Sequence, residues 1–320
     1  METIKKITKR NEVGILIPLL LIWIITFIAN NAFLTSTNMI ALFRTVSITL
    51  LGAIGATFLF ACGMMDVSSS SIYALSGIVI AVLMKNFWVL NPIIACLGGL
   101  LVGALAGLAN GFIVNTFDIP AFIATLGTQY IFRGVVNVVS QGSAYTGFPE
   151  SFSKLGGAGP LGIPWSIYIA VVVALIAAWL LKYSTFGRSL LAVGGNPETA
   201  RVCGINVKKV RYKAFILSGI LCASAGILST ARLATAQPSA ATGWEMTVIA
   251  ATIIGGVSMY GGTASIFGVV IGVCIMETLT ISMTMLKVNP YWQKIVVGFI
   301  IVLAVIIDTY RRLKSSGGNS

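Results

Sequence analysis

Asp66, Glu245 and Glu277 are carboxylates set among the apolar stretches of this 320-residue chain. Asp66 precedes the run Ser68 to Ser71, and Glu277 is followed by Thr278, Thr280 and Ser282. A carboxylate among hydrocarbon is costly unless it is paired or faces water, so each marks either a polar path or a structural pair. Amides and hydroxyls extend the set with Asn110, Asn115, Thr128, Gln129 and Asn137. Such groups both donate and accept, which suits exchange of hydrogen bonds with an uncharged hydroxylated molecule; they serve equally to tie helices together. Asp66, Ser68, Ser70, Asn110, Asn115, Gln129 and Glu277 are the candidates for lining a polar path.

Catalytic chemistry is hard to assemble from this composition. The chain has no histidine, so the commonest general base and metal ligand is missing, and no cysteine or carboxylate cluster has metal-ligand spacing. No Gly-Lys-Ser/Thr sequence is present to cradle a nucleotide phosphate, so no catalytic, cofactor or metal site is expected in this chain. Five cysteines, Cys62, Cys96, Cys203, Cys222 and Cys274, include no CxxC pair and read as small packing residues.

The elements that must position these groups follow from hydropathy. The chain is 57% hydrophobic and 9% charged, against about a quarter charged in a soluble globular domain. A membrane-crossing helix needs about 20 apolar residues. Ten stretches are candidates: 13–29, 41–61, 68–84, 92–114, 119–139, 163–181, 214–233, 244–257, 264–283 and 291–307. The first follows METIKKITKR and is read as a retained span, because its core is long and no A-x-A cleavage site follows.

The net charge of +12 could suggest nucleic acid, but the cations gather between apolar stretches, which points to membrane lipid. Ten spans put both termini on one face. That face then holds Lys5, Lys6, Lys9, Arg10, Lys182, Arg188, Arg201, Lys208, Lys209, Arg211, Lys213, Arg311, Arg312 and Lys314, whereas the opposite loops hold only Lys85, Lys154 and Lys287. Fourteen cations against three orient the termini toward the cytoplasm. Arg44, Arg133, Arg232 and Lys294 fall near the outer ends of spans. They either snorkel to headgroups or, as Arg44, Arg133 and Arg232 suggest, meet an acidic external partner.

Backbone punctuation adds detail. Gly99, Gly103, Gly107 and Gly111 recur at a spacing of four and line one helix face, where a second backbone can approach closely; Ala264, Gly268 and Gly272 repeat the pattern. Spans four and nine run in opposite directions, which suits an inverted repeat of spans two to five and seven to ten. "CGMMDVSSSS" (62–71) and "GGVSMYGGTAS" (255–265) interrupt the apolar runs, each as irregular backbone at membrane depth or as a tight cytoplasmic turn.

The most polar internal stretch is "GGNPETARVCGINVKKVRYK". Asn196 can cap a helix, Pro197 suits its first position, Glu198 favours its positive end and Gly204 can terminate it. A two-turn helix is therefore expected within a polar loop of residues 182–213, as a small knob on the cytoplasmic face.

Glu198 to Gly204, "ETARVCG", resembles the E-A-A-x-x-x-G element of ABC importer permeases, with Thr199 in place of the usual first Ala. "GRSLLAVGGNPETARVCGINVKKVRYKAFILSGILCASAGIL", "GGVSMYGGTASIFGVVIGV" and "VNPYWQKIVVGFIIVLAVIID" are similar to the bacterial ribose, xylose and galactose permeases, and the likeness spans about residues 35 to 312. The family's G-G-I-D-L-S-x-G-S signature appears as residues 63–71, keeping Asp66 and Ser68 but with Met64 and Ser70 where glycines are usual. Thr280, Ile281 and Ser282 stand where members often show Asn-Asn-Gly. The resemblance implies an all-α polytopic fold of the vitamin B12 permease type. Its layout would be a cytoplasmic segment 1–12, one transmembrane permease domain 13–310 and a cytoplasmic tail 311–320. It implies a non-enzymatic translocating subunit for a monosaccharide or similar small hydroxylated solute. The expected partners are an ATPase subunit that binds the ATP, a periplasmic or lipoprotein sugar-binding protein, and a second permease copy or a related permease. Asn196, Pro197, Glu198, Thr199, Ala200 and Gly204 would form the coupling helix to the ATPase. A branched-chain amino acid permease or an ATP-independent carrier is the alternative.

Overall fold

The computed structural model describes residues 11–86 and 91–316. Residues 1–10 of the expected N-terminal segment and 317–320 of the expected tail lie outside the described residues. Thirteen α-helices occur among the described residues: α1 (Asn11–Ala29), α2 (Ser36–Ala61), α3 (Ser69–Asn86), α4 (Pro92–Phe117), α5 (Ala121–Ser140), α6 (Glu150–Gly156), α7 (Trp165–Tyr183), α8 (Thr185–Gly195), α9 (Pro197–Val202), α10 (Val207–Leu233), α11 (Trp244–Ile254), α12 (Ile266–Met285) and α13 (Pro290–Ser316). The only strands described are β1 (Tyr145–Thr146) and β2 (Thr235–Ala236), an antiparallel pair.

Each of the ten apolar stretches coincides with a helix. α2, α4, α5, α7, α10, α12 and α13 are long and apolar enough to cross a membrane, and α1, α3 and α11 supply the shorter apolar segments Leu16–Ala29, Ser69–Lys85 and Trp244–Ile254. Side chains set several starts. Asn91 accepts from the Ile93 amide at 3.0 Å with Pro92 at the first helical position. Ser265 accepts from the Gly268 amide at 3.2 Å, and Asn206 accepts from the Lys209 amide at 2.9 Å. This last cap starts α10 at Val207, seven residues before the apolar stretch at 214, so the basic run Lys208 to Lys213 is helical rather than loop.

α2 and α10 form the centre of the bundle, with 67% and 72% of their apolar windows buried, whereas α13 at 6% is peripheral. Around them the two halves repeat their neighbours. α4 packs on α3 and α10, and α12 packs on α11 and α2. α3 packs on α5 and α10, and α11 packs on α13 and α2. Exchanging helices α2–α5 with α10–α13 maps one set of contacts onto the other, as an internal repeat requires.

The glycine face of α4 is turned to α10. A Cβ on Gly103 would lie 2.5 Å from the Gly219 carbonyl oxygen, and one on Gly107 would overlap the Phe215 carbonyl oxygen. Those helices meet backbone to backbone, which only a missing side chain permits. On α12, Gly268 and Gly272 instead meet α11, at the carbonyls of Gly255 and Ala251. The two glycine stripes therefore serve different neighbours.

Replacing Gly107 by Ala should force α4 and α10 apart and cost about 1–3 kcal/mol, the usual price of overpacking. Gly127→Ala on α5, where a Cβ meets nothing within 4 Å, serves as the control. Thermal unfolding of the detergent-purified chain should show a lowered Tm for Gly107→Ala only; equal Tm values would contradict this packing.

Candidate functional site

The polar stretch at 194–213 folds as a capped lever. α8 begins at Ser184, whose hydroxyl accepts from the Gly187 amide at 3.0 Å, and it ends at Asn196. Asn196 is extended (φ −157°, ψ 108°), and its side chain accepts from the Thr199 amide at 2.9 Å, which starts α9 with Pro197 at the first position. The far end is closed by two bonds: the Ile205 amide donates to the Ala200 carbonyl and the Gly204 amide to the Arg201 carbonyl, both at 3.0 Å. This is the double-bonded helix stop that needs a left-handed residue, supplied by Gly204 at φ +82°. Glu198 and Arg201 form an exposed ion pair at 3.1 Å, worth about 0–1 kcal/mol, so the caps rather than the charges define the knob. Ala200 is the one buried residue of α9, while Val202 and Cys203 are exposed.

The lever's base is bonded into the bundle. A Cβ on Gly261 would lie 2.6 Å from Gly194 Cα, and the Gly262 amide donates to the Ala61 carbonyl at 3.1 Å. The end of α8 thus touches both the last residue of α2 and the connection between α11 and α12. That connection is also tied to α13, because Asp308 Oδ2 accepts from the Met259 amide and the Ser258 hydroxyl, each at 3.3 Å. Residues 255–265 therefore form a turn at the α9 end of the bundle.

Residues 62–68 behave differently. The Val67 amide donates to Thr125 Oγ1 at 3.1 Å, one turn into α5, and Asn110 Nδ2 donates to Ser68 Oγ at 2.8 Å. Asn110 lies seven residues before the end of α4, about 10 Å along the helix. The backbone between α2 and α3 therefore penetrates the bundle before α3 starts. Its polar groups are met by a chain of bonds. Thr128 Oγ1 donates to Asn110 Oδ1 at 2.7 Å, Asn110 to Ser68, and the Ser68 hydroxyl and amide to Asp66 Oδ1 at 2.6 and 2.7 Å. Asp66 Oδ2, Ser69 Oγ and Ser70 Oγ are buried without a protein partner.

A second penetrating segment, residues 234–243, enters from the opposite end and is one that hydropathy does not show. Arg133 Nη1 donates to the carbonyls of Pro238 (2.7 Å) and Ala240 (2.9 Å), and Nη2 to that of Ser70 (3.1 Å). Arg133 is seven residues short of the end of α5, so this contact also lies about 10 Å inside. One turn deeper, the Gln129 carbonyl accepts from Ser71 Oγ at 2.9 Å and Gln129 Nε2 donates to Glu245 Oε1 at 3.1 Å. Gln129 and Arg133 on α5 thus bind the first turns of both α3 and α11, or the segments leading into them.

The remaining candidates divide. Glu277 belongs to a second network: Thr49 Oγ1 donates to it at 2.6 Å and in turn accepts from Trp244 Nε1 at 3.2 Å, joining α12, α2 and α11. Asn115 donates to the Lys208 carbonyl at 3.4 Å near the α9 end. Asn137 is exposed. Arg232 Nη1 donates to Thr45 Oγ1 at 3.2 Å, and Arg44 is half-buried with no partner for Nε. Arg133 lies deeper than the span-end position expected of it, turned inward on three carbonyls. Thr49, Thr125 and Trp244 are network members that the sequence reading passed over; each is an ordinary apolar-helix residue whose role depends on a partner far away in the chain.

A family model described as branched-chain amino acid transport system / permease component matches residues 38–305. The chain is 40% identical over 277 residues to the D-allose transport system permease protein of Escherichia coli, covering 86% of this chain and 84% of that protein. It is 37% identical over 298 residues to the ribose import permease protein of Escherichia coli, covering 92% of each. With the L-arabinose ABC transporter permease protein of Azospirillum brasilense it shares 35% over 304 residues, 94% of this chain and 88% of that protein. No solved structure matches the chain. A multi-pass, all-α membrane protein carrying a capped lever at one end, it belongs to the permease-component family of ABC importers that includes these sugar permeases.

Proposed function

We propose that this chain is the translocating subunit of an ATP-driven importer for a monosaccharide or a similar small hydroxylated solute. The observation that carries the reading is the lever: a short helix fixed by caps at both ends, and seated on the ends of α2 and the α11–α12 connection. A rigid knob bonded to several spans is what a separate ATPase subunit needs in order to move them. Asn196, Pro197, Glu198, Thr199, Ala200 and Gly204 form this coupling element, and ATP is bound by the partner rather than by this chain. All three relatives described above are named for sugars, and the hydrogen-bonded interior of amides and hydroxyls accords with such a solute.

In this reading the α9 end faces the cytoplasm of a bacterial inner membrane with both termini, as the cation bias requires. An external sugar-binding protein docks at the β1–β2 end, where Arg44 and Arg232 lie; Arg133 positions backbone instead. A second permease copy or a related permease completes a channel of the vitamin B12 permease type. Asp66, Ser68, Ser70, Asn110, Gln129 and Glu277 flank the penetrating segments that change shape during passage.

Gly204→Val places a β-branched residue at φ +82° and removes the helix stop. In proteoliposomes holding the full importer, uptake should fall roughly tenfold or more, the scale of a lost coupling between two sites, while ATP hydrolysis persists. Arg201→Gln, which breaks only an exposed ion pair, should retain uptake. Wild-type uptake by Gly204→Val would refute the lever. Orientation is checked independently: Cys203, exposed beside α9, should react with a membrane-impermeant maleimide in inside-out vesicles and not in intact cells. Labelling from outside would reverse the topology.

A further inference from the structure

The connection between α10 and α11 does more than link two helices. It forms one wall of a cleft of about 340 Å³ against α3 and α10, lined by Tyr73, Ser229, Thr230, Thr235, Gln237 and Ser239 among others. None of the lining residues is charged. The volume lies within the usual range for small-molecule pockets, about 300–1,000 Å³. Trp244 backs the cleft, its ring 5.1 Å from that of Tyr73, and the Trp244 indole is held by Thr49 on α2.

The wall's shape is imposed rather than relaxed. Ala234 and Ala241 adopt left-handed backbone (φ 47° and 59°), a conformation that costs a non-glycine residue about 1–2 kcal/mol. Two carbonyls of this wall, Pro238 and Ala240, are gripped by Arg133, the same side chain that holds Ser70 at the start of α3. Strained backbone persists where surrounding contacts over-determine it, and such positions concentrate at ligand clamps. The result is a concave surface of hydroxyls and one amide, with aromatic rings at its back, Arg133 spent on carbonyls of its wall and Arg232, beside the lining residue Leu233, bonded to Thr45.

From this geometry we infer that the cleft between α3, α10 and residues 235–242 is a solute-contact site, selective for a neutral polyhydroxylated molecule. The inference rests on the functional reading given above and names a site within it. Hydroxyls and the Gln237 amide can each donate and accept, matching sugar hydroxyls without a fixed charge. A zwitterion or anion would lose hydration here against a lining that offers no charged side chain of its own. Arg133 acts as a positioning residue that fixes the wall.

The test uses the full importer with its binding protein in proteoliposomes. Ser239→Trp should fill the cleft from its exposed rim and lower sugar uptake about tenfold at saturating loaded receptor. Receptor-stimulated ATP hydrolysis should remain near wild type, and Ser239→Thr, which keeps the hydroxyl, should restore uptake. Ser229→Leu gives an independent block from the α10 side. Normal uptake by both blocking variants would overturn the inference, as would parallel loss of uptake and stimulated hydrolysis in either, since that would make the wall a docking or folding element. If the wild-type importer moved no monosaccharide at all, the functional reading would fail instead, which this arrangement separates from failure of the cleft.

Discussion

Backbone that is not helical cannot sit among hydrocarbon unless its amides and carbonyls find partners, and this bundle places two such segments inside itself. Residues 62–68 enter from one end and 234–243 from the other. Each unsatisfied buried group would cost about 1–3 kcal/mol, so their polar atoms dictate what surrounds them. Thr125 accepts from the Val67 amide, Asn110 donates to Ser68, and Arg133 serves two carbonyls of the second segment and that of Ser70 at the start of α3. α5 is thereby bonded to both α3 and α11, and it also packs on α3. The short lengths of α3 and α11 follow from the same fact, since each starts only after its lead-in has already penetrated the bundle.

The internal repeat gives this arrangement its logic. α3 and α11 occupy equivalent places in the two halves, and so do the segments preceding them. A repeat inverted across the membrane brings equivalent interruptions in from opposite faces, where a single α5 can touch both. The chemistry is not repeated with the topology: the first segment is held by a carboxylate and a serine–asparagine–threonine chain, the second by a guanidinium.

Much of the frame was legible in the sequence because it depends on periodic hydropathy and on local caps. All ten apolar helices and the capped helix at 197–202 follow from residues that act on near neighbours, as Asn196 acts on Thr199. The start of α10 was not, because a basic run next to an apolar one lacks a hydropathic edge, and Asn206 was an overlooked cap. The segment 234–243 was hidden for a different reason: Thr, Ala, Gln, Pro and Ser read as an ordinary outer loop, and its descent depends on Arg133, more than a hundred residues earlier. Long-range pairs such as Thr49 with Glu277 leave no local signature. Of the two interruptions, residues 62–68 penetrate the bundle and 255–265 form a turn at the α9 end, a difference the sequence left open because it depends on distant partners, Thr125 and Asn110 for the one and Ala61 and Asp308 for the other.

A continuous helix joins the lever to the cleft. Ala61, at the end of α2, accepts from Gly262 beside the Gly194 contact, and Thr49 lies twelve residues away on the same helix, about 18 Å at the helical rise. Thr49 carries both Glu277 and the Trp244 indole, and Trp244 is the ring behind Tyr73. One turn further, Thr45 takes Arg232 at the end of α10. A displacement of α8 and α9 must therefore act on α2 as a rod, because the glycine contacts at its end leave no compressible side chains to absorb it. Such a displacement is carried to the back wall of the uncharged cleft, so the work delivered at one face of the bundle would be spent on the shape of the site rather than on its charge. Under the proposed function, a site that binds only through hydroxyls and amides would release its solute when that shape changes, leaving tight recognition to an external receptor and direction to an ATPase.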